Sequence, residues 1–348
     1  MLAENSKFDG VGPELMSKQN TSICIACGNR NHPYIDRIWD DRYGSPGMFS
    51  VLRCDACGQM VTDPPLTEDD LPALYSQYYP RRHVDLQALE AEAAAVLAPN
   101  AAEKRRQQGT DNQGHYRVKP GQKVLDIGCG SCVSLLEVRN LGGTPFGIET
   151  DPNVRTIADH FGLNVHIGNI YDTPFPQETF DLIVLNQVIE HVPEPIEVLK
   201  AVRPRLKPDG RVMLAFPNTG SLNRRVSGRK WINWHIPYHL HHYNKTSFPK
   251  IAEKAGYSVE SMRTITPNVW TMLQIRAYGE ASRPGEASSS WTSGSLKQSG
   301  DIPFMTRLKS RLISRFPSAA GPWISRMGRF VDSLGLGDSL LVELRPKD

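Results

Sequence analysis

The stretch Val124-Leu125-Asp126-Ile127-Gly128-Cys129-Gly130-Ser131-Cys132 decides how the rest of this 348-residue chain is read. An apolar run carries one carboxylate into a turn with two glycines, and a helix-like run, Val133 to Asn140, follows at once. The pattern predicts a buried parallel strand, a tight turn and a helix N-terminus. In open α/β sheets, ligands sit where strands end and helices begin.

The same alternation continues downstream. Strands are expected at Lys123–Asp126, Thr144–Ile148, Val165–Ile167, Phe180–Leu185, Arg211–Ala215, Tyr257–Ile265 and Ser339–Leu344. Helices are expected from Asp151-Pro152, over Glu194–Leu206 and over Thr246–Ala255, with a turn at Pro208-Asp209-Gly210. This spacing predicts an α/β fold, a Rossmann-like doubly wound and mostly parallel seven-stranded sheet over residues 118–278 and 338–348.

A dinucleotide fingerprint needs a further glycine where Val133 stands, so it fails here. Asp126 would repel a pyrophosphate but suits a ligand carrying an amine and a sulfonium, which Gly128 and Gly130 allow to approach the backbone closely. At these residues the chain resembles the class I S-adenosylmethionine-dependent methyltransferases, with Cys132 in place of the family's third loop glycine. The resemblance implies a cofactor site of Asp126, Gly128, Gly130, Glu149, Asn169, Ile170 and Asn186. Glu149 would accept the ribose hydroxyls, Asn169 the adenine amine, and Asn186 would lie beside the methyl group. Glu190-His191-Val192 resembles a further family motif, in which His191 is expected in a structural or cofactor-side role.

Trp231 to Tyr243 contains His235, His239, His241 and His242. It resembles a His-Leu-His-His-aromatic segment of small-molecule methyltransferases. In an extended chain His239 and His241 point the same way, and either imidazole is a candidate general base for an acceptor hydroxyl. Packing and metal binding remain the other readings of these histidines. Arg224, Arg225, Arg229 and Lys230 are candidate holders of a substrate phosphate, or a solvated face.

Near the N-terminus, Cys24-Ile25-Ala26-Cys27-Gly28 and Cys54-Asp55-Ala56-Cys57-Gly58 are paired Cys-x-x-Cys-Gly knuckles. Four thiolates at this spacing predict a structural zinc site, with buried free thiols or a redox pair as the alternatives. The metal would carry much of the stability of so small a module. His32 is read as a surface residue.

Residues 1–20 are expected to be a disordered tail, 21–80 the zinc module and 81–117 a helical linker, with Asp85–Gln108 helical by propensity. Residues 279–337 are expected to hold a mobile loop and a helical insertion. In Phe304–Phe316, Leu308, Leu312 and Phe316 share one helical face beside several arginines, which fits a lid packed on the core or peripheral contact with an anionic membrane.

Net charge is +3 and hydrophobic content 39%, which leaves a real core and argues for no particular polyanion. No apolar run is long enough to span a bilayer and no apolar signal core precedes the module, so a cytoplasmic location is expected. Asn186-Gln187-Val188-Ile189 lacks the Pro-Pro-aromatic continuation of base-methylating enzymes, which makes a nucleic-acid substrate disfavoured. The expected acceptor is a hydroxylated small molecule, a sugar or a glycan intermediate. RNA methylation and a non-catalytic cofactor-binding scaffold are the rival readings, and the oligomeric state is not specified by the sequence.

Overall fold

A computed structural model describes residues 21–79, 86–108, 111, 113–172, 174–278, 282–288, 291 and 324–347. The expected tail at 1–20 and the expected helix at Phe304–Phe316 lie outside these residues, as does most of the expected mobile loop.

The N-terminal part contains β1 (Asn31–Ile38), β2 (Phe49–Cys54) and β3 (Met60–Asp63), followed by α1 (Leu71–Gln77), α2 (Leu86–Leu97) and α3 (Ala101–Gln108). The expected single helix over Asp85–Gln108 is two helices. Pro99 cannot continue α2, and Asn100 takes a left-handed φ of 63° that turns the chain.

The core runs β4 (Lys123–Ile127), α4 (Val133–Asn140), β5 (Thr144–Glu149), α5 (Val154–Phe161), β6 (Asn164–Ile167), β7 (Phe180–Asn186), α6 (Pro195–Val202), β8 (Leu206–Pro217) and α7 (Leu222–Ser227). It continues with β9 (His241–His242), α8 (Phe248–Lys254), β10 (Tyr257–Ile265), α9 (Asn268–Tyr278), a helix α10 over 324–333, and β11 (Ser339–Pro346). Seven strands form one sheet in the order β10-β11-β8-β7-β4-β5-β6. Neighbours from β8 to β6 pair in parallel, and β11 slots between β8 and β10 antiparallel to both.

Burial explains why these segments are strands. Leu182 to Leu185 are wholly buried, because helices cover both faces of a parallel sheet. In α5 the buried residues Val154, Ile157 and Ala158 recur at helical spacing. Each fully buried Leu or Phe contributes about 1.5–3 kcal/mol relative to exposure. The expected turn at Pro208-Asp209-Gly210 instead lies within β8: Phe180 pairs with Leu206 but Leu182 pairs with Arg211, so the intervening residues bulge out of the ladder.

The module does not stand apart from the core. Its sheet has the order β1-β2-β3-β9, so its fourth strand comes from the histidine-rich segment. Trp231, Trp234, Ile236, Tyr238 and Leu240 bury into one cluster with Ile35, Ile38, Phe49, Val51, Met60, Leu66 and Leu74. Part of the segment expected to be mobile is also packed here. Ala287 bridges to Tyr43, Ser288 N–H donates to the Arg42 carbonyl, and the Arg42 guanidinium lies 4.6 Å from the Trp291 ring centroid.

Candidate active site

The residues expected to hold a cofactor converge at the carboxyl ends of β4 to β7. Two backbone bonds stitch the first two loops together: the Gly128 and Cys129 N–H groups both donate to the Ile148 carbonyl. Gly168 N–H donates to the Glu149 carbonyl and ties in the third. Gly128 has a φ of 72°, and a Cβ there would meet Val188 Cγ2 at 2.5 Å, so only glycine fits. Cys132 adopts the left-handed conformation at a φ of 61°, as the glycine it replaces would. The strain is about 1–2 kcal/mol.

Asp126 lies 2% exposed beneath this loop. Its Oδ2 accepts from the Ser134 hydroxyl, while Oδ1 has no partner among the described residues. Burial pushes its pKa up to about 6. A buried acceptor below two exposed glycines is what an approaching ammonium group would satisfy. Glu149 is half-buried, with Oε2 accepting from Gly130 N–H at 2.9 Å and Oε1 from Thr150 N–H at 2.7 Å. Asn169 is exposed and folds its Oδ1 onto the Tyr171 N–H, and Ile170 packs into the main core. Asn186 Oδ1 accepts from Gly114 N–H at 3.1 Å, holding the turn Gly114–Arg117 against the sheet end.

That turn carries a network the sequence reading missed. His115 is fully buried and its Nε2 lies 2.6 Å from Glu137 Oε2. Tyr116 and Arg105 also reach Glu137. Burial raises the Glu137 pKa, but the His115 hydrogen bond and charge, with Tyr116 and Arg105, hold it below the usual carboxylate range. The one available signal was a carboxylate in the buried run Leu135-Leu136-Glu137-Val138.

Beyond Val188 the loop carries Glu190 and His191 toward the histidine-rich segment. The Glu190 carbonyl accepts from the N–H groups of Leu240 and His241, which fastens the two segments together. His239 does not share a direction with His241. The chain turns at His239, whose N–H donates to the His235 carbonyl, and is extended only over β9. His239 joins His191 and His235, with ring centroids at 4.6 and 4.8 Å. His241 instead sets its Nε2 against the Pro193 carbonyl at 3.0 Å. Burial lowers the pKa of His239 well below the ordinary value, and that of His191 to about 4, so both rings are neutral at pH 7. Burial pushes Glu190 up to about 8, opposed only by its own backbone N–H.

Four tyrosines surround this cluster, another feature the sequence reading missed. Tyr43, Tyr75, Tyr79 and Tyr238 make edge-on or tilted contacts with centroids at 5.1–5.5 Å. Tyr75 Oη lies 2.9 Å from His191 Nδ1. Burial raises the Tyr75 pKa, and the charges of Tyr79, Glu190 and Glu149 raise it further. These tyrosines come from the module, from α1 and its exit, and from the core, so periodicity within any one element carried no sign of them.

The four cysteines of the knuckles are brought together. Cys24 and Cys57 place their sulfurs 3.5 Å apart, and Cys27 and Cys54 3.4 Å apart. A tetrahedral thiolate site with bonds of about 2.3 Å separates its sulfurs by about 3.8 Å, close to these values. In each knuckle the glycine N–H donates back to the first cysteine's carbonyl, with Gly28 and Gly58 at φ of 77° and 71°. Burial opposes ionisation of Cys27, but donors from the Asn29 side chain and backbone outweigh it and hold the thiol at about 6. The donor set and spacing fit a soft divalent ion. His32 is exposed. Arg224 donates to Tyr34 Oη, and Arg229 to the carbonyls of Asp36 and Arg37, so both tie α7 and its exit to β1.

A doubly wound sheet with one reversed strand, an acid-glycine loop after β4 and a second acid ending β5 together define the class I S-adenosylmethionine-dependent methyltransferase fold. The chain belongs to the family described as "Methyltransferase domain", whose match covers residues 87–262, just over half its length. It is 30% identical over 111 residues to a demethylmenaquinone methyltransferase of Lysinibacillus sphaericus, covering 30% of this chain and 47% of that protein. It is 29% identical over 146 residues to a ubiquinone biosynthesis O-methyltransferase of Xanthomonas oryzae pv. oryzae, covering 39% of this chain and 60% of that one. The chain thus spans about half to three fifths of the length of these curated relatives. A solved complex of the Haloferax volcanii Trm112 methyltransferase activator with a putative methyltransferase aligns at 19% identity and a TM-score of 0.43, covering 75% of this chain and 96% of that one. No helix among the described residues is long and apolar enough to cross a membrane.

Proposed function

We propose that this chain is an S-adenosylmethionine-dependent methyltransferase acting on a small hydroxylated ring compound, with a structural zinc at Cys24, Cys27, Cys54 and Cys57. The observation that carries the reading is the unpartnered, buried Asp126 oxygen beneath an open glycine loop, one loop away from a tyrosine- and histidine-lined cluster. Asp126, Gly128, Gly130, Glu149, Asn169, Ile170 and Asn186 would hold the cofactor. Bound there, S-adenosylmethionine supplies an electrophilic methyl group on a sulfonium.

The residues of this chain then have three tasks. Tyr43, Tyr75 and Tyr79, backed by buried Tyr238, offer faces and edges to a flat or puckered ring, which suits a sugar or a quinol-type acceptor of the kind the curated relatives' names imply. They also exclude water from a reaction that depends on positioning. The acceptor hydroxyl loses its proton at the Glu190, His191 and His239 cluster, with His239 as the candidate proton acceptor. His241 is the second candidate: its Nε2 faces the Pro193 carbonyl and its Nδ1 has no partner among the described residues. The reading of Arg224 and Arg229 as holders of a substrate phosphate loses support, because both are engaged within the fold.

Methyl-labelled cofactor with a panel of catechol, quinol and sugar acceptors tests the proposal. Transfer to a hydroxyl oxygen of one class is the expected result. Tight cofactor binding with labelling of RNA alone, or of nothing in a cell extract, would overturn it.

A further inference from the structure

Glu190 is a carboxylate at 1% exposure, and apart from its own backbone N–H neither oxygen has a hydrogen-bond partner among the described residues. A buried carboxylate without partners is costly, and folds retain one where something supplies positive charge. No lysine or arginine pairs with it among the described residues. What faces it is a pair of imidazoles: one ligand atom from each of Glu190, His191 and His239 lies within 4.8 Å of the other two.

The two rings are set as metal ligands are set. His239 Nδ1 lies 2.8 Å from the Asn233 carbonyl, and His191 Nδ1 lies 3.0 Å from the Tyr238 carbonyl. A carbonyl takes a proton from each Nδ1, which leaves each Nε2 with a lone pair and a fixed direction. His235 Nδ1 stands 3.4 Å from His239 Nε2, at the outer limit of hydrogen bonding. The backbone bonds from Leu240 and His241 to the Glu190 carbonyl hold the carboxylate and the rings in one frame. His191 is half-buried, so the cluster has a route to solvent.

From this geometry we infer a divalent-cation site at Glu190, His191 and His239, separate from the four-cysteine site. Two imidazoles and one carboxylate select a borderline transition cation such as Zn²⁺, Mn²⁺, Fe²⁺ or Co²⁺ over Mg²⁺ or Ca²⁺. Three protein ligands leave at least one coordination position of such a cation open. An acceptor oxygen can fill one of them. With a cation in place, His239 serves as a ligand instead of the base, and the acceptor hydroxyl, acidified by the cation's charge, gives its proton to solvent water beside half-buried His191.

The test uses the untagged 348-residue chain with the cysteine site already loaded with zinc, and Co²⁺ as the probe. One further equivalent of Co²⁺ should bind with the weak d–d absorption of nitrogen and oxygen ligands. Glu190→Gln and His239→Ala should each weaken that binding at least about tenfold, with zinc content and S-adenosylhomocysteine binding retained. Should His239→Ala not fold, the near-isosteric Glu190→Gln and the Co²⁺-dependent rise in thermal midpoint of the wild type still decide the matter. No Co²⁺ uptake beyond the zinc, an intense thiolate-to-cobalt band, or equal uptake by both variants would overturn the site. Failure to find an acceptor would not touch these measurements, which need no turnover.

Discussion

At the scale of single residues, the cofactor site proposed above turns on two carboxylates in different surroundings. Asp126 is buried with one oxygen unpartnered, while Glu149 is half-buried and braced by three backbone N–H groups. Asp126→Ala and Glu149→Ala should each weaken S-adenosylhomocysteine binding about tenfold or more, since hydrogen bonds to charged groups contribute about 1.5–3 kcal/mol. Calorimetry on folded variants checks this, and wild-type affinity in both would remove the assignment. The pH dependence has a definite sign. Burial raises Asp126 to about 6, so affinity for a ligand bearing an ammonium should fall as pH drops through about 6. Asp126→Asn should lack that fall. For stability the same shift acts oppositely: the contribution is fully present below an unfolded value of about 4 and is lost as pH rises through about 6.

At the scale of elements, β9 is the joint of the molecule. Its two residues pair with β3, and Thr62 Oγ1 donates to the His239 carbonyl at 2.6 Å. Asn244 Nδ2 donates to the Cys57 carbonyl, and Lys254 Nζ to that of Ile25, so α8 and its entry touch both knuckles. Elemental analysis should find zinc at the cysteines. Stripping it under reducing conditions should speed hydrogen exchange at least about a hundredfold in β1–β3 and β9, with β4 and β7 still protected. Unchanged exchange in β9 would show that the knuckles do not hold the histidine segment.

At the scale of the whole molecule, module and core share one hydrophobic cluster. Trp231, Trp234 and Tyr238 are at most 2% exposed, and their burial depends on residues of β1–β3 and α1. Burying such side chains contributes about 25 cal/mol per Å² of apolar surface. A chain beginning after residue 80 should therefore expose them, bind a hydrophobic dye and aggregate. A soluble, monodisperse truncation with full cofactor affinity would show that the core closes by itself.

The strand-end rim proposed to hold the cofactor was legible in the sequence because it is local. A strand, a glycine turn and a helix follow one another in the chain, so Asp126, Gly128 and Glu149 are placed by neighbours a few residues away. The cysteine cluster was legible for the same reason, since each knuckle closes on itself. The three-residue spacing of Pro208 to Gly210 misled, because a bulge and a turn use the same residues. What the sequence by itself determined was the strands of the sheet and the strand-end rim, while the reversal of β11 came from the structure. Tertiary structure alone decided the tyrosine and histidine cluster proposed for the acceptor. Tyr43, Tyr75, His191 and His239 lie far apart in the chain and meet only because β9 crosses to the module's sheet. No period in a sequence encodes that, for it depends on which of several apolar surfaces pack together. The same crossing separated His239 from His241, which their spacing alone had paired.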